Sequence, residues 1–204
     1  MVNRNALLPI LSRSSPVLLV IIALLNCIIN PCYNAFYLFI MLITLFPINW
    51  IIKHWIFKPI YTFFKIETLP ILGIGKRPPE CAMNCDFILD NITLSQFGMP
   101  SGHSQIIWAV GIYIICKIID KWKNKNNDEI NLDHLYYLDH LDHLEYAWLI
   151  IVCFIILSMI YVSYSRVYIE GCHTLQQVIV GSILGIISGF IIYYFENYIS
   201  ILFI

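Results

Sequence analysis

Two separated stretches of the sequence carry residues suited to binding a phosphate and reacting with it. In Pro100-Ser101-Gly102-His103, a residue that favours helix N-caps and a glycine precede an apolar run. In the second stretch, Ser165-Arg166 is followed by His173, just before another apolar run. N–H groups at the start of a helix attract anions, arginine binds phosphate oxygens, and imidazole exchanges protons. Together the two stretches predict a phosphate-binding site with an acid–base pair.

The composition indicates that membrane-spanning helices position these residues. Hydrophobic residues make up 59% of the chain and charged residues 12%, and the mean hydropathy is +0.76. Soluble domains carry about 25% charged residues. A chain of 204 residues has room for about five or six spanning helices, so we predict an all-α, polytopic membrane helical bundle. The net charge of −1 argues against a nucleic-acid partner.

Apolar runs separated by polar or proline-containing breaks predict five spans. The predicted spans are Pro16–Ile29 (or from Leu7), Tyr33–Ile52 with a kink at Pro47, Ser101–Ile119, Tyr146–Val162 and Leu175–Phe195. The first span follows Arg4 and Arg13 without a small-residue cleavage site, which predicts a retained anchor rather than a removed signal. Lys53–Leu72 is broken by charged residues and prolines, which predicts a membrane-surface or re-entrant helix. Gly73–Met99 is a predicted polar loop.

The segment Asp120–Glu145 is predicted to be a polar linker within one membrane-embedded domain, residues 1–204. It contains a near-repeat in which Leu, Asp and His follow one another at Leu132, Leu138 and Leu141. Clustered Asp and His can bind a metal, but only His140 and His143 are spaced as a helical pair and no cysteine joins them. A low-complexity linker without a metal is therefore the favoured interpretation.

The order of the spans places the candidate site residues on one face of the membrane. With five spans, the loop after the second and the loop before the fifth lie on the same side, and the linker lies on the other. In the fifth span, Gly181, Gly185 and Gly189 recur at four-residue spacing. Such a stripe predicts close packing against a neighbouring helix.

Both reactive stretches resemble signature motifs of the type 2 phosphatidic acid phosphatase / haloperoxidase superfamily. Pro100-Ser101-Gly102-His103 resembles its second motif, Ser165-Arg166 with His173 its third, and Arg77-Pro78 the end of its first. The longer strings 98–105, 165–168 and 173–178 are similar to the dolichyl-diphosphate phosphatase branch. The resemblance extends from Lys53 to Gly185, without the linker.

The resemblance implies a covalent mechanism, without metal or cofactor, on a lipid (di)phosphate substrate in the bilayer. His173 would attack phosphorus to form a phosphohistidine, and His103 would protonate the leaving oxygen and then activate water. Gln177 would fix the tautomer of His173. The phosphate oxygens would be bound by Lys53, Arg77, Arg166 and the backbone at Ser101 and Gly102.

The sequence departs from the family pattern at three places. No lysine stands at the usual spacing before Arg77, so Lys53 is assigned to the first motif and Lys76 is the alternative. One residue more than usual separates Arg166 from His173, and Gly171 can absorb it as a bulge. The usual acid after the nucleophile is replaced by Gln177, which the dolichyl-diphosphate branch also tends to have.

Two alternatives come from other functional classes. The departures also fit a catalytically inactive relative that binds lipid or acts as a scaffold. Vanadate-dependent halide oxidation shares the pocket but is disfavoured, because those members are mostly soluble. The sequence predicts no oligomeric state.

Signals for the compartment of the site disagree. Lys and Arg are more numerous on the face that bears the site, which by the charge rule predicts a cytoplasmic site. The sequon Asn91-Ile92-Thr93 lies in the site loop, and Cys81 and Cys85 can form a disulfide there or remain free thiols. With the resemblance, these features favour an endoplasmic-reticulum-type membrane and a lumenal site.

Overall fold

The structure, a computed structural model, describes residues 7–64, 68–78, 97–129 and 138–202. Two π-helical segments, Ile52–Phe57 and Ser165–Ile169, continue the second and fifth α-helices. Strands β1 (Thr68–Leu69) and β2 (Gly73–Ile74) form an antiparallel hairpin in which Thr68 pairs with Ile74. The α-helices are α1 (Leu7–Ile29), α2 (Tyr33–Ile51), α3 (Lys58–Phe63), α4 (Gly102–Glu129), α5 (Leu138–Tyr164) and α6 (Leu175–Leu202).

Five helical units among the described residues are long and apolar enough to cross a membrane, which confirms the predicted helical membrane bundle. Large apolar side chains such as Ile22, Phe154 and Leu157 are exposed on their outer faces, as expected for helices surrounded by lipid. The units are Ile10–Ile29, Tyr33–Phe63, Gly102–Asn124, Tyr146–Ile169 and Leu175–Ile199.

The second unit corrects the prediction for Lys53–Leu72. Tyr33–Phe63 is one continuous helical unit of 31 residues, so within the described residues the chain after Ile52 continues this helix to Phe63. Pro59 does not break it, because it stands in the first turn of α3, where a missing N–H costs little. At 1.5 Å per residue the unit is about 46 Å long, against about 30 Å of hydrocarbon core. Its end, from Lys53 onward, therefore reaches the membrane boundary without adding a crossing.

Helices α4 and α5 extend into the predicted linker Asp120–Glu145. Helix α4 continues to Glu129 and α5 begins at Leu138, so both helices extend beyond the spans predicted for them. The first copy of the Leu-Asp-His repeat lies outside the described residues. Within the described part of the chain, no three His, Cys, Asp or Glu side chains are grouped as a metal site.

Direct backbone contact between α4 and α6 lies at the centre of the bundle. A Cβ atom added at Gly181 would lie 2.5 Å from the Ser101 carbonyl oxygen, and one at Gly185 would lie 2.5 Å from that of Gln105. No side chain fits at these distances, so the predicted close packing of the glycine stripe is confirmed. Because Gly181 lies against Ser101, this packing also fixes the start of α4 beside the start of α6.

Candidate active site

The chain between Arg166 and His173 accommodates its extra residue through two local backbone conformations. Ser165–Ile169 is π-helical, and the Glu170 N–H donates to the Ser165 carbonyl across five residues at 2.8 Å. Gly171 then adopts a φ of +64°, a conformation that glycine adopts without strain. The His173 N–H returns to the Arg166 carbonyl at 3.2 Å. The bend expected at Gly171 is therefore present, and it returns His173 to Arg166.

The tautomer of His173 follows from the hydrogen bonds of Gln177. The Gln177 Nε2 group donates to the carbonyls of Ile74 and Lys76, both at 2.8 Å, so its Oε1 must face the imidazole. Oε1 lies 2.9 Å from His173 Nδ1, and as an acceptor it requires a proton there. The lone pair of a neutral His173 is consequently on Nε2, the nitrogen directed away from Gln177.

Gln177 also joins all three motifs. Its side chain contacts the backbone that precedes Arg77, and its own carbonyl accepts the Ser101 N–H at 3.0 Å. A Cβ atom at Gly98 would lie 2.5 Å from Gln177 Oε1, so only glycine leaves room for this side chain. One buried glutamine thus brings the stretches around Arg77, Ser101 and His173 together at the same end of the bundle.

Three cations act on the His173 imidazole. Burial lowers the pKa of His173 well below its ordinary value, and the positive charges of Arg166, Arg77 and Lys53 lower it further, in that order. The hydrogen bond to Gln177 opposes this shift but does not reverse it. His173 is therefore neutral at pH 7, and the positive charges that act on it can attract an anion.

Of the two first-motif candidates, Lys53 is the one whose charge acts on His173. It lies in the π-helical segment Ile52–Phe57, just as Arg166 lies in Ser165–Ile169, and π-helical segments occur frequently at functional sites. The Lys76 side chain is exposed, and the residue's backbone carbonyl serves as an acceptor for Gln177.

Ser101, Gly102 and His103 lie at the start of α4, as the sequence predicts. Ser101 precedes the first helical residue, Gly102, and its carbonyl accepts the Gln105 N–H at 3.0 Å. Since the Ser101 N–H is already bonded to Gln177, donors for a phosphate in this turn begin at Gly102. His103 Nε2 donates to the Arg13 carbonyl of α1 at 2.9 Å, so this nitrogen carries a proton.

Sequence reasoning missed Glu170 and the role of α1. The Glu170 carboxylate is buried and accepts from Ser165 Oγ at 3.0 Å and from Arg166 Nη1 at 2.5 Å. Arg13 Nε lies 3.8 Å from the same carboxylate. The available signals were an acid beside Gly171 and an arginine inside the first apolar run, since charges at such positions are costly unless paired.

Cys172, directly before His173, is disulfide-bonded. The other described cysteines, Cys27, Cys32, Cys116 and Cys153, are free. The cysteines singled out in the sequence, Cys81 and Cys85, lie outside the described residues, as does Asn91.

The described fold is a bundle of membrane-length helices with two histidines and three cations towards one end, and the comparison with family models identifies its class. Residues 34–201 match the PAP2 superfamily, so the chain belongs to that superfamily.

Among characterised proteins, the chain is similar to a dolichyldiphosphatase of Saccharomyces cerevisiae, with 33% identity over 119 residues. That alignment includes 58% of this chain and 41% of the relative, so the chain spans less than half the length of the relative it matches. No solved structure matches the chain significantly.

Proposed function

We propose that the chain is a membrane lipid phosphatase that hydrolyses a polyprenyl (dolichyl-type) diphosphate or a related lipid phosphate through a phosphohistidine intermediate. The observation that carries this proposal is the state of His173. Its imidazole is buried and surrounded by cations, and its Nδ1–H is held by Gln177 Oε1 at 2.9 Å. The Nε2 lone pair is then the atom that would attack phosphorus.

The proposed reaction has two displacement steps. In the first, His173 Nε2 bonds to phosphorus, the bond to the leaving oxygen breaks, and His103 donates a proton to that oxygen. In the second, His103 accepts a proton from water, the water oxygen attacks the phosphohistidine, and the N–P bond breaks to release phosphate. Lys53, Arg77 and Arg166 stabilise the negative charge on the non-bridging oxygens in both steps.

A lipid is the substrate that suits the position of these residues. His103, Arg166 and His173 lie within a few residues of the ends of candidate spans. The substrate's apolar chain can remain in the bilayer while its headgroup reaches the site. The similarity to a dolichyldiphosphatase supports a polyprenyl diphosphate in particular.

We place the site in the lumen of an endoplasmic-reticulum-type membrane, within a single domain of residues 1–204. Disulfides persist in oxidising compartments, and the disulfide of Cys172 adjoins His173. The sequon at Asn91 is a second feature that suits a lumenal loop.

The test uses His173→Ala and His103→Ala with Lys58→Ala as the control, because Lys58 is an exposed cation of α3. Each histidine variant is expected to lose at least about 100-fold of the phosphate release from a lipid diphosphate, the scale of general acid–base catalysis. The control is expected to retain activity. Wild-type protein incubated with substrate labelled in the terminal phosphate should carry an acid-labile phosphoryl group that His173→Ala lacks.

Full activity of His173→Ala would contradict the mechanism. An inserted wild-type protein that releases phosphate from none of a panel of lipid mono- and diphosphates would instead favour the inactive, lipid-binding relative.

A further inference from the structure

Helix α1 contributes to the site although residues 7–29 precede the part of the chain that matches the family. Its contact residue is Arg13, which lies one turn into the first candidate span. The backbone carbonyl of Arg13 accepts His103 Nε2–H at 2.9 Å, and its Nε lies 3.8 Å from Glu170 Oε2. A charge at this depth is costly and indicates a function for Arg13.

The guanidinium of Arg13 retains capacity to bind an anion. Among the described residues, its Nε is buried and makes no hydrogen bond, because 3.8 Å to Glu170 is an ion-pair distance rather than a hydrogen-bond distance. Glu170 is already bonded to Arg166 at 2.5 Å and to Ser165 at 3.0 Å. The carboxylate thus lies beside both arginines, while the Arg13 Nε–H keeps its capacity to donate to a ligand.

The backbone of Arg13 contacts His103, so the side chain of Arg13 starts from the His103 side of the site. This position determines which part of a substrate the side chain can reach. In an in-line displacement the nucleophile and the leaving oxygen lie on opposite sides of phosphorus. Under the proposed function, His173 is on the first side and His103 on the second. In a lipid monophosphate the group beyond the leaving oxygen is an apolar chain. In a lipid diphosphate attacked at its terminal phosphorus, that group is the second phosphate.

We propose that Arg13 binds the second phosphate of a lipid diphosphate and makes the site prefer diphosphates to monophosphates. This inference rests on the proposed function. The bond that breaks joins the terminal phosphorus to the bridging oxygen, which leaves on the lipid monophosphate. Arg13 stabilises the charge that this leaving phosphate gains, and Glu170 positions Arg13 beside Arg166.

The experiment compares farnesyl diphosphate with farnesyl phosphate, which share one chain, in wild type, Arg13→Ala, Arg13→Lys and Lys58→Ala. Arg13→Ala is expected to lower kcat/KM for the diphosphate about tenfold or more, because a charge-assisted hydrogen bond to the second phosphate is lost. Hydrolysis of the monophosphate by the same preparation should change less than about twofold and shows that the variant is folded. Arg13→Lys should recover part of the preference, and Lys58→Ala should retain all of it.

An equal loss on both substrates, or no loss on either, would overturn the role of Arg13. If wild type hydrolyses only the diphosphate, the inhibition constant of farnesyl phosphate is measured instead of its hydrolysis. Arg13→Ala is then expected to weaken turnover of the diphosphate more than it weakens inhibition by the monophosphate. If wild type hydrolyses no lipid phosphate, the proposed function fails first, so the two failures are distinguishable.

Discussion

At the residue scale, Gln177 shows how a neutral side chain can replace the acid usual in this family. A carboxylate would also accept a hydrogen bond from the imidazole N–H, but it could not donate hydrogen bonds to the carbonyls of Ile74 and Lys76. Because the amide must do both, its orientation is fixed and the tautomer of His173 is fixed with it. Gln177 adds no negative charge, so burial and the cations around His173 keep its pKa low and its imidazole neutral.

The pKa of His173 leads to a prediction about pH. Burial and the charges of Arg166, Arg77 and Lys53 lower this pKa well below 6.5, so the neutral nucleophile persists below pH 6.5. We therefore expect kcat/KM to fall on the acid side of its pH profile only below pH 6.5. Lys53→Met removes one of the cations that disfavour imidazolium and should move the acid limb to higher pH. Comparing pH profiles of the two proteins on one substrate cancels the ionisation of the substrate.

The lowered pKa of His173 also makes the stability of the fold decrease as the pH falls. A folded-state pKa below the unfolded-state value means that the stability contributed by neutral His173 is complete above about pH 6.5 and is lost as the pH falls through the folded-state pKa.

Lys58→Met is the control for the pH profile of Lys53→Met, since Lys58 is exposed and is not among the charges acting on His173. An acid limb that is identical in wild type and Lys53→Met would contradict the assignment of Lys53.

At the element scale, the loop between α5 and α6 depends on one glycine. An added Cβ at Gly171 would meet nothing within 4 Å, so the cost of a side chain lies in the φ of +64°. For alanine this cost is about 1–2 kcal/mol. Relaxation of the strain would move His173 relative to Arg166, so Gly171→Ala should lose activity about tenfold as well as thermal stability.

Gly171→Asn is the matched control, because asparagine adopts positive φ more readily than alanine. It should retain more activity and unfold at a higher temperature than Gly171→Ala, with phosphate release and thermal unfolding measured in the same detergent. Equal behaviour of the two variants would show that backbone strain does not determine the position of His173.

The elements also show where sequence reasoning succeeds. The apolar runs identified all five spanning units, because a continuous hydrophobic stretch is a local property. The glycine spacing predicted the contact between α4 and α6 for the same reason. Helix ends were less predictable. Pro59 looked like a break, although the first turn of α3 tolerates it, and polar residues to Glu129 form a helix beyond the bilayer.

At the scale of the whole molecule, the sequence indicated the residues at the site but not every element around it. The signature stretches identified His103, Arg166 and His173, and the order of the spans placed them on one face. Nothing local to α1 shows that Arg13 contacts His103, which is 90 residues away in the chain. Such contacts depend on how the helices surround one another, and a single sequence does not record this.

The arrangement of spans predicts opposite membrane faces for two chemical probes. Cys32 is free and exposed in the turn between α1 and α2, at the end of the bundle away from His173. Asn91 falls between α3 and α4 in the sequence, and the order of the spans predicts it on the same side of the membrane as His173. If the site is lumenal, a membrane-impermeant maleimide should label Cys32 in sealed endoplasmic-reticulum microsomes, and Asn91 should be glycosylated.

Cys32→Ser and Asn91→Gln are the controls for the two signals, and permeabilised microsomes reveal any site hidden in the lumen. Labelling of Cys32 only after permeabilisation would place the site in the cytoplasm, as the excess of Lys and Arg on its face predicts. That outcome would also make the disulfide of Cys172 unexpected, because cytoplasmic thiols are kept reduced.

Non-reducing peptide mapping of Cys172 supplies an independent check of the compartment. A lumenal site requires that Cys172 be oxidised in protein isolated under thiol-blocking conditions.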